Sequence, residues 1–246
     1  MSVRIEILDS CPTTMGELVL RRRRDPISGA DLYEVKLADE FLMSSLFTVA
    51  EIEVARLALA SLPDMRLEVA VGGLGLGYTA QTVLDDPRVG SVIVVEALVE
   101  VIAWHERGLV PVSVPSTPDR RCRVVQGDFF AMVGAAGFDP EIADRRFHAV
   151  IVDIDHSPRH LLHPSHAGFY EAAGVRRIAG RLHPSGVFAL WSNDPPDEAY
   201  LAVLSDVFAS ARADVITFYN RLQDRDAANT VYVARTGAPQ DASPTR

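Results

Sequence analysis

The sequence predicts an α/β protein: a mostly parallel sheet that ends in an antiparallel hairpin and is preceded by a small N-terminal β appendage. Three observations carry this. The apolar run Val69-Ala70-Val71 feeds a loop with glycine at 72, 73, 75 and 77, and a helical pattern follows. Strand-like and helix-like segments then alternate to about residue 209, as expected of βα units in a parallel sheet covered on both faces. The opening residues, 3 to about 42, instead suggest consecutive strands.

In chain order, residues 3–8 alternate apolar and polar, and strand-like runs follow at 17–21 and 32–37. The breaker-rich 25–29 stretch between the last two suits a hairpin turn. From Thr48 the pattern becomes helical: Ile52, Val54, Ala55, Leu57, Ala58 and Leu59 form an apolar face, with Thr48 and Glu51 spaced as a capping box. The expected division is an appendage over 1–46, a main domain over 47–235 and a frayed Pro/Ser/Gly-rich tail over 236–246. Buried strands are expected at 67–71, 92–96, 123–126, 149–153 and 187–191, and helices at 78–84, 98–107, 166–179 and 197–209. Runs at 214–219 and 230–234 predict the terminal hairpin.

The 246 residues suffice for one α/β domain with a sizeable core. A net charge of -9 argues against a nucleic-acid partner, which would need a surplus of Lys and Arg. The run Arg21-Arg22-Arg23-Arg24 fits exposed strand-end positions better than an RNA patch. Cys11 and Cys122 lie far apart with no metal spacing, so a reduced cytoplasmic protein is expected. No signal-peptide pattern or membrane-length apolar run is seen, and no membrane partner is expected.

Candidate chemistry collects where the strands end. Glycines over 72–77 let backbone N–H groups approach a nucleotide where a Cβ would block the turn, or simply let a helix pack on its strand. Glu96 ends the second main strand, nineteen positions after Gly77. A carboxylate there can accept from both ribose hydroxyls, or serve as an anion at a helix start. Gln126-Gly127-Asp128-Phe129 ends the third strand. Asp128 can accept from an adenine amino group and can also cap the next helix, with Phe129 as an apolar neighbour. The fourth strand runs out into Asp153-Ile154-Asp155-His156-Ser157-Pro158. Carboxylates there can deprotonate an amine or steady a sulfonium, although Asp, Ser and Pro also favour strand exits. Asp153 and Asp155 are the catalytic candidates. His156, His160, His163 and His166 match no zinc signature, and a solvated or lid-like loop is expected in place of a metal site. Trp191 to Pro196 could line the pocket or turn the chain; Phe218-Tyr219-Asn220 fits an apolar core better than a site border.

Together the glycine loop, Glu96, Gly127-Asp128 and the Asp153 segment resemble the polyamine aminopropyltransferases, the spermidine synthase family. Its members have the Rossmann-like fold of S-adenosylmethionine-dependent methyltransferases. The likeness spans most of the chain. It implies an S-adenosyl co-substrate, S-adenosylmethionine or its decarboxylated form, cradled by Gly72, Gly73, Gly75 and Gly77. It further implies that Glu96 holds the ribose, Gly127 and Asp128 the adenine, and that Asp153 is the base acting on the attacking amine. A homodimer is also implied. Three features depart from the family pattern: Gly75 and Leu76 occupy the place of the loop aspartate that grips the aminopropyl amine, residues 46–51 replace the Asp-Glu-x-x-Tyr-x-Glu stretch, and Asp153–Pro158 replaces Asp-Ser-Ser-Asp-Pro. The nucleoside half is kept and the amine half altered.

The expected function is therefore a spermidine-synthase-like transferase that moves an aminopropyl or related alkyl group to a small amine. The alternatives are a small-molecule methyltransferase, a non-catalytic nucleoside-binding protein and, more remotely, a nicotinamide dehydrogenase. No hydrolase, Walker or CxxC motif is present.

Overall fold

A computed structural model describes residues 5–114 and 119–238. Residues 3 and 4 of the first expected strand, and 239–246 of the expected tail, lie outside that range. The N-terminal segment is a four-stranded antiparallel meander: β1 (Ile5–Thr13), β2 (Gly16–Arg24), β3 (Asp31–Leu37) and β4 (Glu40–Ser44). Leu18, Leu20, Val35 and Leu37 are buried and pack into the same core as the main domain. Burial of side chains this size contributes about 1.5–3 kcal/mol each, which fixes the meander over one end of the main sheet. Asp9 adds polar anchors, accepting from Trp104 Nε1 at 2.9 Å and Arg107 Nη1 at 2.7 Å.

The main sheet contains β5 (Leu67–Gly72), β6 (Val89–Glu96), β7 (Cys122–Gln126), β8 (Phe147–Val152), β9 (Leu182–Ser192), β10 (Ser210–Asn220) and β11 (Arg225–Arg235). Their order is β10-β11-β9-β8-β5-β6-β7, with β11 antiparallel to β9 and β10 antiparallel to β11. The strands from β7 to β9 run parallel. Successive strand residues enter opposite layers, Val69 and Val71 one core and Ala70 the other, which explains why these strands lack apolar–polar alternation. One layer holds α1 (Val49–Ala60), α2 (Tyr78–Asp85) and α3 (Val99–Glu106); the other holds α4 (Phe129–Gly134), α5 (Ala167–Tyr170), α6 (Ala172–Gly180) and α7 (Glu198–Val207). Chain order reverses beside β5, which is flanked by β6 and β8. At such a switch point the loops diverge and leave a crevice at the carboxyl ends of the strands.

Four local expectations need correction. Thr48 stands at the α1 N-cap without a side-chain cap bond, because Glu51 turns into the crevice rather than back to the helix start. The expected helix over 166–179 is broken: a 3-10 turn (Pro164–His166) and α5 precede α6, with Glu171 extended between them. The two pieces meet so closely that a Cβ on Gly174 would stand 2.3 Å from the Gly168 oxygen. The tail's first residues are also pinned, Thr236 N donating to Gly186 O and Ser185 N to Gly237 O. Finally, the hairpin is longer than expected, so Phe218 meets Phe47 and Arg221 reaches Asp25 at 2.8 Å. Cys11 and Cys122 are unpaired. No helix among the described residues is long and apolar enough to cross a membrane.

Candidate functional site

The crevice holds a two-lobed cavity, roofed by β4 and floored by the ends of β5, β6 and β8. The larger lobe encloses about 330 Å³ and the smaller about 100 Å³; Leu42, Met43, Gly75, Asp153, Ile154 and Leu162 border both. The glycine loop separates them. Gly73, Gly75 and Gly77 have φ of +93°, +49° and +93°, backbone conformations that L side chains rarely adopt. At Gly73 space is also closed, since a Cβ would stand 2.1 Å from the Asp153 carbonyl oxygen. Gly73→Ala is expected to lower stability by about 2 kcal/mol or more, through strain and displacement of the Asp153 backbone. Urea unfolding would check this, and an unchanged midpoint would show that the loop yields freely.

Glu96 lies beneath that loop. Its Oε2 accepts from Leu74 N at 3.0 Å and its Oε1 from Leu98 N at 2.9 Å. Burial pushes its carboxyl above the ordinary range, while the N–H donors of Leu98, Leu74, Ala97 and Gly75 oppose that shift. An ionised carboxylate has about four lone-pair sites, so acceptor capacity remains toward the larger lobe, which Glu96 lines. His105 braces the loop from behind. It is buried; its Nδ1 accepts from Val114 N at 2.9 Å and its Nε2 meets Gly75 O at 2.9 Å. Together these bonds assign the neutral ring with its proton on Nε2, in keeping with burial lowering its pKa.

Asp128 caps α4, its Oδ1 accepting from Phe130 N and Ala131 N at 2.9 and 3.2 Å. It also lines the larger lobe beside Gly127, so a capping role leaves Oδ2 available. Phe129 descends into the core, where a Cβ on Gly72 would stand 2.7 Å from its ring. It still borders the larger lobe, where Phe130 joins it and stacks on His166 at 3.9 Å between centroids.

Asp153 and Asp155 part company. Asp153 lines both lobes, and Thr79 Oγ1 donates to its Oδ2 at 2.8 Å. Asp155 is fully buried and accepts from Leu162 N, His166 Nδ1 and Tyr170 OH at 2.8, 2.9 and 2.8 Å. It anchors the loop over 156–166 and borders neither lobe. The four histidines of that loop take separate partners: His156 stands 3.7 Å from Glu40 and His160 2.8 Å from Asp194, His163 bonds Ser165 and His166 bonds Asp155. The loop is pinned rather than loosely solvated; Asp194 also accepts from Ser157 Oγ at 2.6 Å. Among the described residues, metal-like spacing occurs instead at Glu68, His148 and His183, near the opposite ends of the strands. There His148 Nδ1 already accepts from Glu68 N at 3.0 Å and Arg145 pairs with Glu68 at 2.6 Å, so the ring's lone pair is engaged.

The residue that sequence analysis missed is Glu51. From the first turn of α1 it lines the smaller lobe with Asp153, and Thr79 Oγ1 lies 3.2 Å from the Glu51 backbone oxygen as well as bonding Asp153. Burial, followed by the negative charge of Asp153, pushes the Glu51 carboxyl well up; burial likewise raises Asp153, against the Thr79 bond. The two acids therefore hold a proton well above the pH at which ordinary carboxylates lose theirs. Trp191 also lines this lobe, and its indole N–H is buried without a partner among the described residues.

Comparison with family models finds no match, and comparison with curated protein sequences finds none either. Solved structures do match. Spermidine synthase from Thermotoga maritima superposes with a TM-score of 0.71 at 17% identity, over 95% of this chain and 74% of that one. A spermidine synthase in complex with the transition-state analogue AdoDATO gives 0.70 at 17% identity, over 95% and 73%. Human methyltransferase-like protein 13 in complex with SAH gives 0.52 at 20% identity, over 79% and 81%. The chain thus has the fold of spermidine synthases, the Rossmann-like fold also found in an SAH-bound methyltransferase.

Proposed function

We propose that this protein is a transferase that binds a decarboxylated S-adenosyl donor in the larger lobe and passes its aminopropyl arm to an amine in the smaller one. One observation supports this above all: between them the two lobes are lined by Glu51, Glu96, Asp128 and Asp153 and, among the described residues, by no Lys or Arg. Such a cavity favours cationic ligands and offers the α-carboxylate of S-adenosylmethionine no Lys or Arg partner among the described residues. It also disfavours a dinucleotide. The loop N–H groups of Leu74 and Gly75 point at the Glu96 carboxylate, where a pyrophosphate would meet like charge.

In this reading Glu96 accepts from the ribose hydroxyls and Asp128 from the adenine amino group, beside the Phe130 ring. The donor supplies a sulfonium, which makes the adjoining carbon electrophilic. Asp153, held by Thr79, takes a proton from the acceptor ammonium and so frees its lone pair for attack. Methyl transfer is the second reading, favoured by Gly75 and Leu76 where an anchor for the aminopropyl amine is expected.

Calorimetry with S-adenosylmethionine, its decarboxylated form and methylthioadenosine, with mass spectrometry of the nucleoside product, separates the two. Tighter binding of the decarboxylated donor by about tenfold, with methylthioadenosine as product, is expected. S-adenosylhomocysteine as product would establish methyl transfer.

A further inference from the structure

Resting on that reading, we propose that the acceptor is a primary monoamine with an apolar body, its ammonium seated between Glu51 and Asp153 and its tail lying against Leu76, Leu162 and Trp191. The smaller lobe encloses only about 100 Å³, and its acidic lining groups among the described residues are those two carboxylates, with His156 as its imidazole. Both residues line this one small space, and the Thr79 hydroxyl ties Asp153 to the first turn of α1 through the Glu51 backbone oxygen. The rest of the lining holds no further acid: apolar Leu76, Leu162 and the Trp191 ring stand beside polar Ser44, Tyr78 and His156. A further carboxylate, Glu40, stands 3.7 Å from His156 but is 66% exposed at its side chain and does not border the lobe.

These facts count charges. An ammonium seated between the two carboxylates meets all the acidic charge that lines the lobe among the described residues. A diamine of the same length would hold its second ammonium a chain's length from the pair, with no other anion of the lobe to receive it, and desolvating an unpaired charge is costly. The reaction balances with a single amine. One ammonium proton passes to the carboxylate pair, and the freed nitrogen lone pair forms the new C–N bond as the C–S bond breaks. The C–S electrons return to sulfur as a neutral thioether, the product leaves as a secondary ammonium, and the carboxyl proton is released to water.

The test is initial-rate kinetics with decarboxylated S-adenosylmethionine and, in parallel, S-adenosylmethionine, using the length-matched pair butylamine and putrescine. Butylamine is expected to exceed putrescine in kcat/KM by about tenfold or more. Leu162→Glu, which supplies a second anion, is expected to reverse that preference. Glu51→Gln is expected to raise the butylamine KM about tenfold while methylthioadenosine binds as before. Putrescine turned over as well as or better than butylamine, or methylthioadenosine bound with neither amine turned over, would overturn the monoamine proposal and leave the nucleoside site standing. Failure to bind methylthioadenosine at all would overturn the nucleoside reading, and the proposal with it.

Discussion

Asp153→Asn is expected to lower kcat by about 10²–10⁴-fold, the range typical of a lost general base, while methylthioadenosine affinity changes little. The amide keeps the shape of the side chain and an oxygen for the Thr79 hydroxyl, so structure and nucleoside binding survive while proton acceptance is lost. The pH profile carries a second signature. Burial raises the proton affinity of both Glu51 and Asp153, and the Asp153 charge raises Glu51 further, so kcat/KM should climb with pH through a range above that of ordinary carboxylates. Glu51→Gln removes the upper of the two ionisations and should leave a single climb set by Asp153. The linkage to stability has the opposite sense from the usual carboxylate. Both folded-state pKa values lie above their unfolded values, so the folded state keeps protons that the unfolded chain has released, and stability falls as pH rises between the two. Glu51→Gln should therefore raise the melting temperature at pH 8 by a few degrees, about 2–4 °C for each kcal/mol relieved. Single-turnover rates and thermal melts across pH measure both effects. A rate profile unchanged in Asp153→Asn would remove the base from the mechanism.

Glu96→Gln is expected to weaken methylthioadenosine binding about 10- to 100-fold, the scale of losing charge-assisted hydrogen bonds. The loss has two sources. The ribose hydroxyls would face a weaker acceptor, and a Gln amide nitrogen would confront one of the N–H groups of Leu74 or Leu98 that the carboxylate now satisfies. The glycine loop would then relax away from the ligand. Calorimetry on the variant reads the affinity directly. A dissociation constant within twofold of the parent would mean that Glu96 serves the loop alone and that the nucleoside is held elsewhere.

Glu96, Asp128 and Asp153 are legible in the sequence because each sits at or just beyond the end of a buried β-strand, and strand ends are local features. In a parallel sheet all such ends rise on one side, so three acids distant in sequence become neighbours once the βα alternation is recognised. Asp155 shows the limit of this logic. Two residues beyond Asp153 in an irregular exit, its direction is set by His166, Tyr170 and the Leu162 backbone rather than by strand periodicity. The broken helix over 164–180 is hidden for a similar reason, since periodic apolar residues continue through a break made by close packing at Gly174.

By itself the sequence determined the α/β alternation, the glycine loop, the N-terminal strands and the acids at the strand ends, all of which depend on neighbours a few residues away. Only the tertiary structure decided that β4 roofs the cavity, that Asp155 turns inward and that Glu51 joins Asp153. That last pairing spans α1 and β8, and the Thr79 hydroxyl bridging it is 74 positions from Asp153. Helical periodicity marks which residues can share a face, but not which distant acid that face will meet; the buried charge that sets the chemistry of the smaller lobe arises from packing alone.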